Sequence, residues 1–430
     1  MNNFILLIIA NHPTFVCTLN HKKMNIKLAR FTMLVAMLFS SVATHAQIFD
    51  STAVGKVKVS GRVNMDGAYF TRQPDFVMSD GVTFSELRVR FSTILSSRTD
   101  FRAEIDFALG SVVPRDVAFR YFVDKNFTVT LGNFRESFSP AAYASSTENF
   151  FISVPTPGQA FGCSRNLGVA ARYVVPHFFA EAGVFGQDLL DQIKGSKGYA
   201  FTNRVLYRPL NSGSHVLQFG FSNTIRRADA NNLSKDASGK EIELRTVNYG
   251  SRAETNVDRN QLISVKNPFA KYQDKLSVEF LGIWQKLAVQ GEYMNAFVKA
   301  KSGYDNQHYQ GYYAQAIYQV RGKGIAYNDQ DAVQAKSGLG SINVGIRYSY
   351  TDLNDSKGYL VNGIYTDLPN GKEANGSFNG GVVKGFSAAV SFYPLKNFIL
   401  TMEYNWGKLS SITLPSGSFQ MAQAQAIIQF

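Results

Sequence analysis

Arginine is the residue type with the clearest chemical potential in this 430-residue sequence. Six arginines occupy the polar side of segments that alternate like β-strands: Arg62, Arg88, Arg90, Arg102, Arg120 and Arg172. The planar guanidinium group can donate two parallel hydrogen bonds to a phosphate or a carboxylate. A column of such groups on one face would therefore attract anions.

Carboxylates on the same faces give a second interpretation. They are Glu86, Glu104, Asp106 and Asp116. Ion pairs between these acids and the arginines would brace a wall and leave little net field. The sequence leaves both interpretations open, because its excess of basic residues could also lie in loops or near lipid headgroups.

Residues for catalysis or metal binding are sparse. Beyond residue 46 the histidines are scattered, at His177, His215 and His308, without metal-ligand spacing, and no GxSxG or P-loop motif occurs. Cys163 lies beside Arg165 and is more simply a loop residue than a reactive thiol. The stretch 328–331 is more simply a solvated turn than a calcium site. The sequence predicts no enzyme activity, cofactor or metal, and its basic residues lack the clustering of a nucleic-acid interface.

Strands must position the arginines, because polarity alternates with period two along most of the chain. Phe101-Arg102-Ala103-Glu104-Ile105-Asp106-Phe107 is the clearest case. Sixteen segments between residues 56 and 430 follow this pattern. A seventeenth candidate, 242–253, is assigned to a long external loop, 227–273, since a closed antiparallel barrel needs an even number. Residues 321–340 are then one long connection at the end where the turns are otherwise short.

The strand lengths, commonly about 10 to 13 residues, suit a tilted crossing of a bilayer. Short and long connections alternate, and aromatic residues gather near the strand ends, as in outer-membrane barrels. Lipid offers no hydrogen-bond partner to the backbone, so spanning strands must close into a ring. We therefore expect an all-β fold, a transmembrane antiparallel up-and-down barrel of about 16 strands around a lumen that holds water.

The two ends of the chain support export to a Gram-negative outer membrane. Lys27 and Arg30 precede the apolar run Phe31–Phe39, and Ala43-Thr44-His45-Ala46 reads as a cleavage site. Residues 1–46 are thus a predicted leader, with Met24 as an alternative start, and residues 47–430 the barrel domain. The leader has four basic and no acidic residues, so the formal charge falls from +12 to +8 without it. At the other end, an alternating strand finishes at Phe430, which resembles the assembly signal of such barrels.

Residues 135–165 form the most distinctive connection. They are rich in Ser, Pro, Ala and Phe, and Glu148 is the single charged residue between Glu136 and Arg165. A fully solvated loop would usually carry more charge. We expect this loop to fold inward and narrow the lumen; the alternative is a surface loop with a hydrophobic patch.

This region resembles the phosphate-selective porin O and P family. The resemblance lies in three stretches: Leu131-Gly132-Asn133-Phe134-Arg135-Glu136-Ser137-Phe138, then Ser145-Ser146 and Phe150, and Arg165-Asn166-Leu167-Gly168-Val169. Ser137 stands where the family often has proline. The resemblance implies that Arg135 and Arg165 are cations of a constriction, that phosphate is a candidate solute, and that the protein is a homotrimer.

The predicted function is passive diffusion of small hydrophilic solutes, with a preference for anions such as phosphate. The inner surface would provide the arginines, and the loop at 135–165 would set the aperture. A barrel plugged by the loop at 227–273, acting as an adhesin or structural anchor, is the alternative.

Overall fold

The fold was analysed in a computed structural model of the chain. The structure describes residues 57–186, 195–230, 232–235, 238–267, 269–302, 304–355, 359–361, 364–366, 378–411 and 414–430. The predicted leader, residues 1–46, lies outside the described residues.

Sixteen antiparallel strands close into a barrel, which confirms the predicted fold. In order around the ring they are β1 (Val57–Arg72), β2 (Gly81–Ser96), β3 (Thr99–Asp106), β4 (Val113–Phe122), β5 (Phe127–Arg135), β6 (Arg165–Val175), β7 (Phe178–Phe185), β8 (Tyr199–Ser212), β9 (His215–Arg227), β14 (Ala270–Trp284), β15 (Leu287–Ala300), β16 (Gln307–Arg321), β19 (Ile342–Asp355), β22 (Phe378–Leu395), β23 (Phe398–Ser410) and β24 (Gly417–Gln429).

The remaining strands form four two-stranded hairpins in the connections. They are β10 (Asn232–Lys235) with β11 (Glu241–Leu244), β12 (Val247–Arg252) with β13 (Gln261–Asn267), β17 (Tyr327–Asn328) with β18 (Val333–Gln334), and β20 (Tyr359–Val361) with β21 (Ile364–Thr366). The seventeenth candidate, 242–253, thus falls in β11 and β12, outside the barrel ladder, as predicted.

Among the described residues, helical structure is confined to short turns. A 3-10 turn spans Ala108–Gly110, and two α-helices span Pro140–Tyr143 and Thr156–Phe161. No described helix has the length and apolar character needed to span a bilayer.

The barrel closes where β1 pairs with β24. The amide of Gly61 donates to the carbonyl of Phe430 at 2.8 Å, and the amide of Phe430 donates back to Gly61 at 3.0 Å. A Cβ on Gly61 would lie 2.5 Å from the Phe430 ring and 2.4 Å from the carbonyl oxygen of Arg88. Glycine at this position therefore lets the terminal residue seal the ring.

Alternate residues of each strand face opposite environments. On β23, Met402 is 65% exposed on the outer surface, whereas Glu403 is 4% exposed on the inner surface. Large apolar side chains are exposed outward on most barrel strands, including Tyr69, Leu131, Phe219 and Val278. Such a surface suits hydrocarbon, and the polar side chains then surround the lumen.

Candidate constriction and cationic vestibule

The connection between β5 and β6, residues 136–164, folds into the lumen and is called the inner loop below. Three of its backbone amides donate to buried carboxylates: Ala141 to Glu292 at 2.9 Å, Ile152 to Glu403 at 2.9 Å, and Thr156 to Glu254 at 3.0 Å. Phe138 and Phe161 are fully buried. The predicted inward-folded loop is confirmed, and its apolar composition reflects this packing.

Gly132 positions the start of the inner loop. Its φ of +134° is one that other residues rarely adopt. A Cβ there would lie 2.2 Å from the carbonyl oxygen of Val117 on the neighbouring strand. Glycine therefore allows β5 to pass close to β4 just before Arg135, which accounts physically for one residue of the family motif.

Arg135 and Arg165 are brought directly opposite each other. They are register partners across β5 and β6, at the two roots of the inner loop. One terminal nitrogen of Arg135, Nη1, donates to the carbonyls of Ala142 at 3.2 Å and of Tyr143 and Ala144 at 2.6 Å each. Within the described chain, Arg135 forms no salt bridge.

The other predicted arginines form a ladder of ion pairs on the inner wall. The pairs are Arg62–Glu86, Arg88–Glu86 at 2.8 Å, Arg88–Asp106 at 2.9 Å, Arg90–Glu104 at 2.5 Å, Arg102–Asp116 at 3.2 Å, Arg165–Asp116 at 2.5 Å, Arg120–Asp100 at 2.5 Å and Arg172–Glu181 at 2.5 Å. This geometry matches the bracing interpretation. In these pairs seven arginines contact six carboxylates, because Glu86 and Asp116 are each shared by two arginines.

A cavity of about 980 Å³ lies along this wall and is called the vestibule. Seven of the eight predicted arginines line it: Arg62, Arg90, Arg102, Arg120, Arg135, Arg165 and Arg172. Arg88 does not, because it is 5% exposed behind its acidic partners. With Arg98 and Lys125, nine cationic side chains face five carboxylates among the described lining residues.

The inner loop lines the vestibule with hydroxyl groups. Arg62 donates from Nη1 to the Ser145 hydroxyl at 3.1 Å, and the Ser146 hydroxyl donates to Glu86 at 2.9 Å. Phe150 is buried against Phe151, with ring centroids 4.9 Å apart. The serines of the family motif thus contact the basic wall, and its aromatic residue anchors the loop.

A second segment enters the lumen from the end with short turns. Residues 322–341, which contain the β17–β18 hairpin, are called the inner hairpin; they are the long connection that the sequence places at this end. Arg204 donates to the carbonyls of Asp331 at 2.9 Å and Ala332 at 3.0 Å. Asn328 donates to Glu148 of the inner loop at 2.9 Å. The two segments therefore contact each other inside the barrel.

Asp331 joins the inner hairpin to the basic wall. Its carboxylate lies 3.0 Å from Nη1 of Arg172. Burial alone would raise the pKa of Asp331, but the charge of Arg172 and its hydrogen bond hold that pKa below the ordinary aspartate value. Asp329 pairs with Arg208 at 3.1 Å. The stretch 328–331 thus binds arginines, and no group of three or more potential metal ligands occurs among the described residues.

Sequence reasoning missed several inward-facing residues. Arg204 and Arg208 are fully buried on β8, and the alternation of that strand would have identified them. Tyr143 is different, because no pattern marks it. It contacts Arg172 through its hydroxyl, and burial raises the pKa of Tyr143 well above that of free tyrosine. It therefore stays a neutral hydrogen-bonding group.

The loop between β9 and β14 also packs inward. Tyr249 of β12 lies 5.6 Å, ring to ring, from Phe161 of the inner loop, and the Arg252 amide donates to Gln159 at 3.1 Å. Both rings belong to an apolar cluster that includes Leu262 and Ile263. The lumen is therefore narrower than the number of strands alone predicts.

Cys163 offers no reactive thiol. It lies 3.4 Å from the Lys275 ammonium, but burial raises the pKa of the Cys163 thiol above its ordinary value. The interpretation as an ordinary loop residue agrees with this environment.

Known structures share this architecture at low sequence identity. The anion-selective porin from Comamonas acidovorans is 12% identical with a TM-score of 0.54, and 87% of this chain and 99% of that chain are covered. The outer membrane channel DcaP of Acinetobacter baumannii is 12% identical with a TM-score of 0.52, covering 89% and 99%. A trimer form of OmpT, an outer membrane protein of Vibrio cholerae, is 10% identical with a TM-score of 0.51, covering 88% and 100%. At such identities the likeness supports the fold alone.

The family comparison is more specific. The model of the family described as phosphate-selective porin O and P matches residues 57–430, which include every barrel strand. A comparison with curated proteins gave no match. The chain therefore belongs to the phosphate-selective porin O and P family, and it is a channel of the Gram-negative outer membrane for passive diffusion of small hydrophilic solutes.

Proposed function

We propose that this channel prefers anions and that the vestibule is a binding region for phosphate on the diffusion path. The observation that supports the proposal most directly is the excess of cationic side chains on the vestibule lining, nine against five carboxylates. Glu86, Glu104 and Asp100, which pair with Arg62, Arg90 and Arg120 from outside the lining, reduce this excess to nine against eight. Such an excess inside a low-dielectric wall raises the local concentration of anions.

The ion pairs of the wall are compatible with anion binding. A guanidinium group has five N–H donors, and one carboxylate uses at most two or three of them. Asp116 is shared between Arg102 and Arg165, so each of these arginines retains donors and part of its charge. Arg135 adds a cation next to Arg165 without a carboxylate partner in the described chain. Phosphate could accept hydrogen bonds from such neighbours in a planar, forked geometry.

The inner loop and the inner hairpin would set the aperture. Ser145 and Glu148 of the loop and Asp331 of the hairpin line the vestibule together with the arginines. An anion would pass along the arginines of this lining. The path requires no cofactor and no energy source beyond the concentration gradient.

Block of chloride current by phosphate tests the proposal. Purified protein in a planar bilayer should carry a chloride current that falls in a saturable manner when phosphate is added. Arg165→Gln should weaken this block severalfold, whereas Lys235→Gln, in the exposed β10–β11 hairpin, should leave it unchanged. A chloride current that phosphate does not reduce would contradict the assignment of phosphate.

We also propose a homotrimer. Two observations support it: the similar OmpT structure is a trimer form, and strands β3 and β7 have only eight residues each. Strands of this length are short for a bilayer crossing. A neighbouring subunit would therefore shield the side of the barrel that contains β3 and β7 from lipid. Light scattering of the detergent complex should give three copies of the chain; a single copy would contradict the proposal.

The alternative of a plugged barrel has one observation in its favour, the apolar packing between the inner loop and the β12–β13 hairpin. An adhesin or structural anchor would show no discrete open levels in a planar bilayer. Single-channel recording therefore separates the two functions.

A further inference from the structure

The outer surface of the barrel carries two adjacent lysines. Lys384 of β22 and Lys408 of β23 are register partners, and both are exposed on the outward side. Like charges directly opposite each other destabilise a sheet. Neither ammonium group forms a salt bridge with a carboxylate in the part of the chain that the structure describes. The pair therefore provides a concentrated positive charge without a counterion among the described residues.

The height of the lysine pair places it at the membrane boundary. Outward residues of β23 are apolar or aromatic from Phe398 to Trp406, and Lys408 follows on the side of the long loops. Ten residues of a strand tilted as in such barrels rise about 25 Å, which is the height of the apolar band. Short turns face the periplasm in outer-membrane barrels, so the lysines lie at the headgroup level of the outer leaflet.

An apolar groove of about 920 Å³ lies below the lysines on the same outer surface. Small residues form its floor and larger ones its sides: Gly67, Ala388, Ala422 and Ala424, with Tyr69 and Met402. It begins two outward positions below Lys384, at Ala388. Between the lysines and the groove lie Phe386 and Trp406, whose ring centroids are 5.8 Å apart.

We propose that this surface is a binding site for a phosphorylated, acylated glycolipid of the outer leaflet. A lipid phosphate lies between the two ammonium groups, the sugar lies over the Phe386 and Trp406 rings, and an acyl chain fills the groove. From the lysine row to Met402 is about 20 Å of strand, enough for a saturated chain. A second copy of the protein could also cover the groove, but its apolar surface would leave the lysine charges without an anion.

Trp406 allows a direct binding measurement, because the sequence has only one other tryptophan, Trp284. Trp284 lies at the opposite, short-turn end of β14. In a Trp284→Phe background, titration of the full barrel in detergent with diphosphorylated lipid A should give a saturable change in Trp406 fluorescence. The same lipid without its phosphates should bind at least about tenfold more weakly, as expected for two lysines at a membrane surface.

Two sets of variants test the headgroup and the acyl chain separately. Lys384→Gln with Lys408→Gln should weaken lipid A binding at least about tenfold, whereas Lys271→Gln with Lys299→Gln, two exposed lysines at the same end of the barrel, should not. Ala422→Leu, which fills the groove, should weaken binding without changing the number of subunits. Circular dichroism establishes that each variant is folded.

Three results would overturn the proposal. The first is an unchanged titration with the Lys384 and Lys408 double variant. The second is equal binding of phosphatidylglycerol and lipid A, which would assign the site to any anionic lipid. The third is loss of oligomers in Ala422→Leu with unchanged lipid affinity, which would show that a second copy covers the groove.

Discussion

Asp116 is the residue on which the charge balance of the vestibule depends most. It lies between Arg102 and Arg165, with N–O distances of 3.2 and 2.5 Å. A single carboxylate here compensates two guanidinium groups, and Arg135 lies beside Arg165 in the strand register. Removing the acid or a base from this group should therefore change selectivity in opposite directions.

Asp116→Asn should increase the preference for anions, because it leaves Arg102 and Arg165 without their shared counterion. Arg165→Gln should decrease that preference by removing one cation. The reversal potential in a KCl gradient measures both effects. Shifts of the two variants in the same direction would mean that these charges act through the packing of the inner loop rather than through the field.

The Asp331–Arg172 contact predicts a dependence on pH. The pKa of Asp331 is lowered, so the contact contributes stability above the ordinary aspartate value of about 3.9 and loses it as the pH falls through the lower folded value. Open-channel noise should thus stay constant from neutral pH to about pH 5 and rise below about pH 4. Asp331→Asn should show the increased noise already at neutral pH; equal noise in the variant and the parent at neutral pH would contradict the contact.

Period-two alternation predicted five of the arginines that line the vestibule, Arg62, Arg90, Arg102, Arg120 and Arg172, and the family resemblance added Arg135 and Arg165. It could not show that Arg88 is covered, because coverage depends on acids contributed by two strands. It could not identify Tyr143 either, since the contact of Tyr143 with Arg172 exists only after the inner loop has folded inward. Local pattern determines which side of a strand a residue occupies, and tertiary contacts determine whether a solute can reach it.

The inner loop is the element that sets the aperture, and buried carboxylates hold it. Glu292 accepts hydrogen bonds from the Ala141 amide at 2.9 Å, the Tyr313 hydroxyl at 2.6 Å and the Ser277 hydroxyl at 3.2 Å. A buried donor left without a partner costs about 1–3 kcal/mol. The loop should therefore move when Glu292 is removed.

Glu292→Ala should raise single-channel conductance and its variance, because the released loop obstructs the vestibule less. Glu241→Ala, in the exposed strand β11, serves as the control and should leave conductance unchanged. Unaltered conductance in Glu292→Ala would mean that the other two carboxylate anchors suffice to fix the loop.

A bulky residue at the pairing of β1 with β24 should cause an assembly defect. Gly61→Val would place side-chain atoms against the Phe430 ring and the Arg88 carbonyl, so the terminal residue could not make its two backbone hydrogen bonds. We expect much less folded barrel in the outer membrane. The folded fraction is measured as the share of the protein that resists unfolding in detergent at room temperature. Gly385→Val is a milder control, since its Cβ would lie 3.4 Å from the nearest atom, the Trp406 carbonyl oxygen.

Elements were predictable where the alternation is regular and less so where the chain leaves the ladder. The sequence yielded all sixteen barrel strands and the inward loop, because a lipid-facing strand must repeat its apolar side. It did not predict that residues 322–341 enter the lumen. That path depends on Arg204 and Arg208 of β8 and Arg172 of β6, which all bind the one hairpin.

The whole molecule combines a closed strand ladder, an apolar exterior and a cationic interior. The closed ladder satisfies the backbone in lipid, and the family assignment makes the protein a porin. The two inner segments narrow the lumen and leave the vestibule beside the arginine wall. Net positive charge inside this space is the physical reason to expect selectivity for anions.

Zero-current potential across a planar bilayer with a KCl gradient tests that account most directly. The purified protein should open in discrete levels, and the potential should have the sign of a membrane more permeable to chloride than to potassium. Discrete openings with a potential at zero or of the opposite sign would contradict the assignment of the vestibule arginines as an anion path.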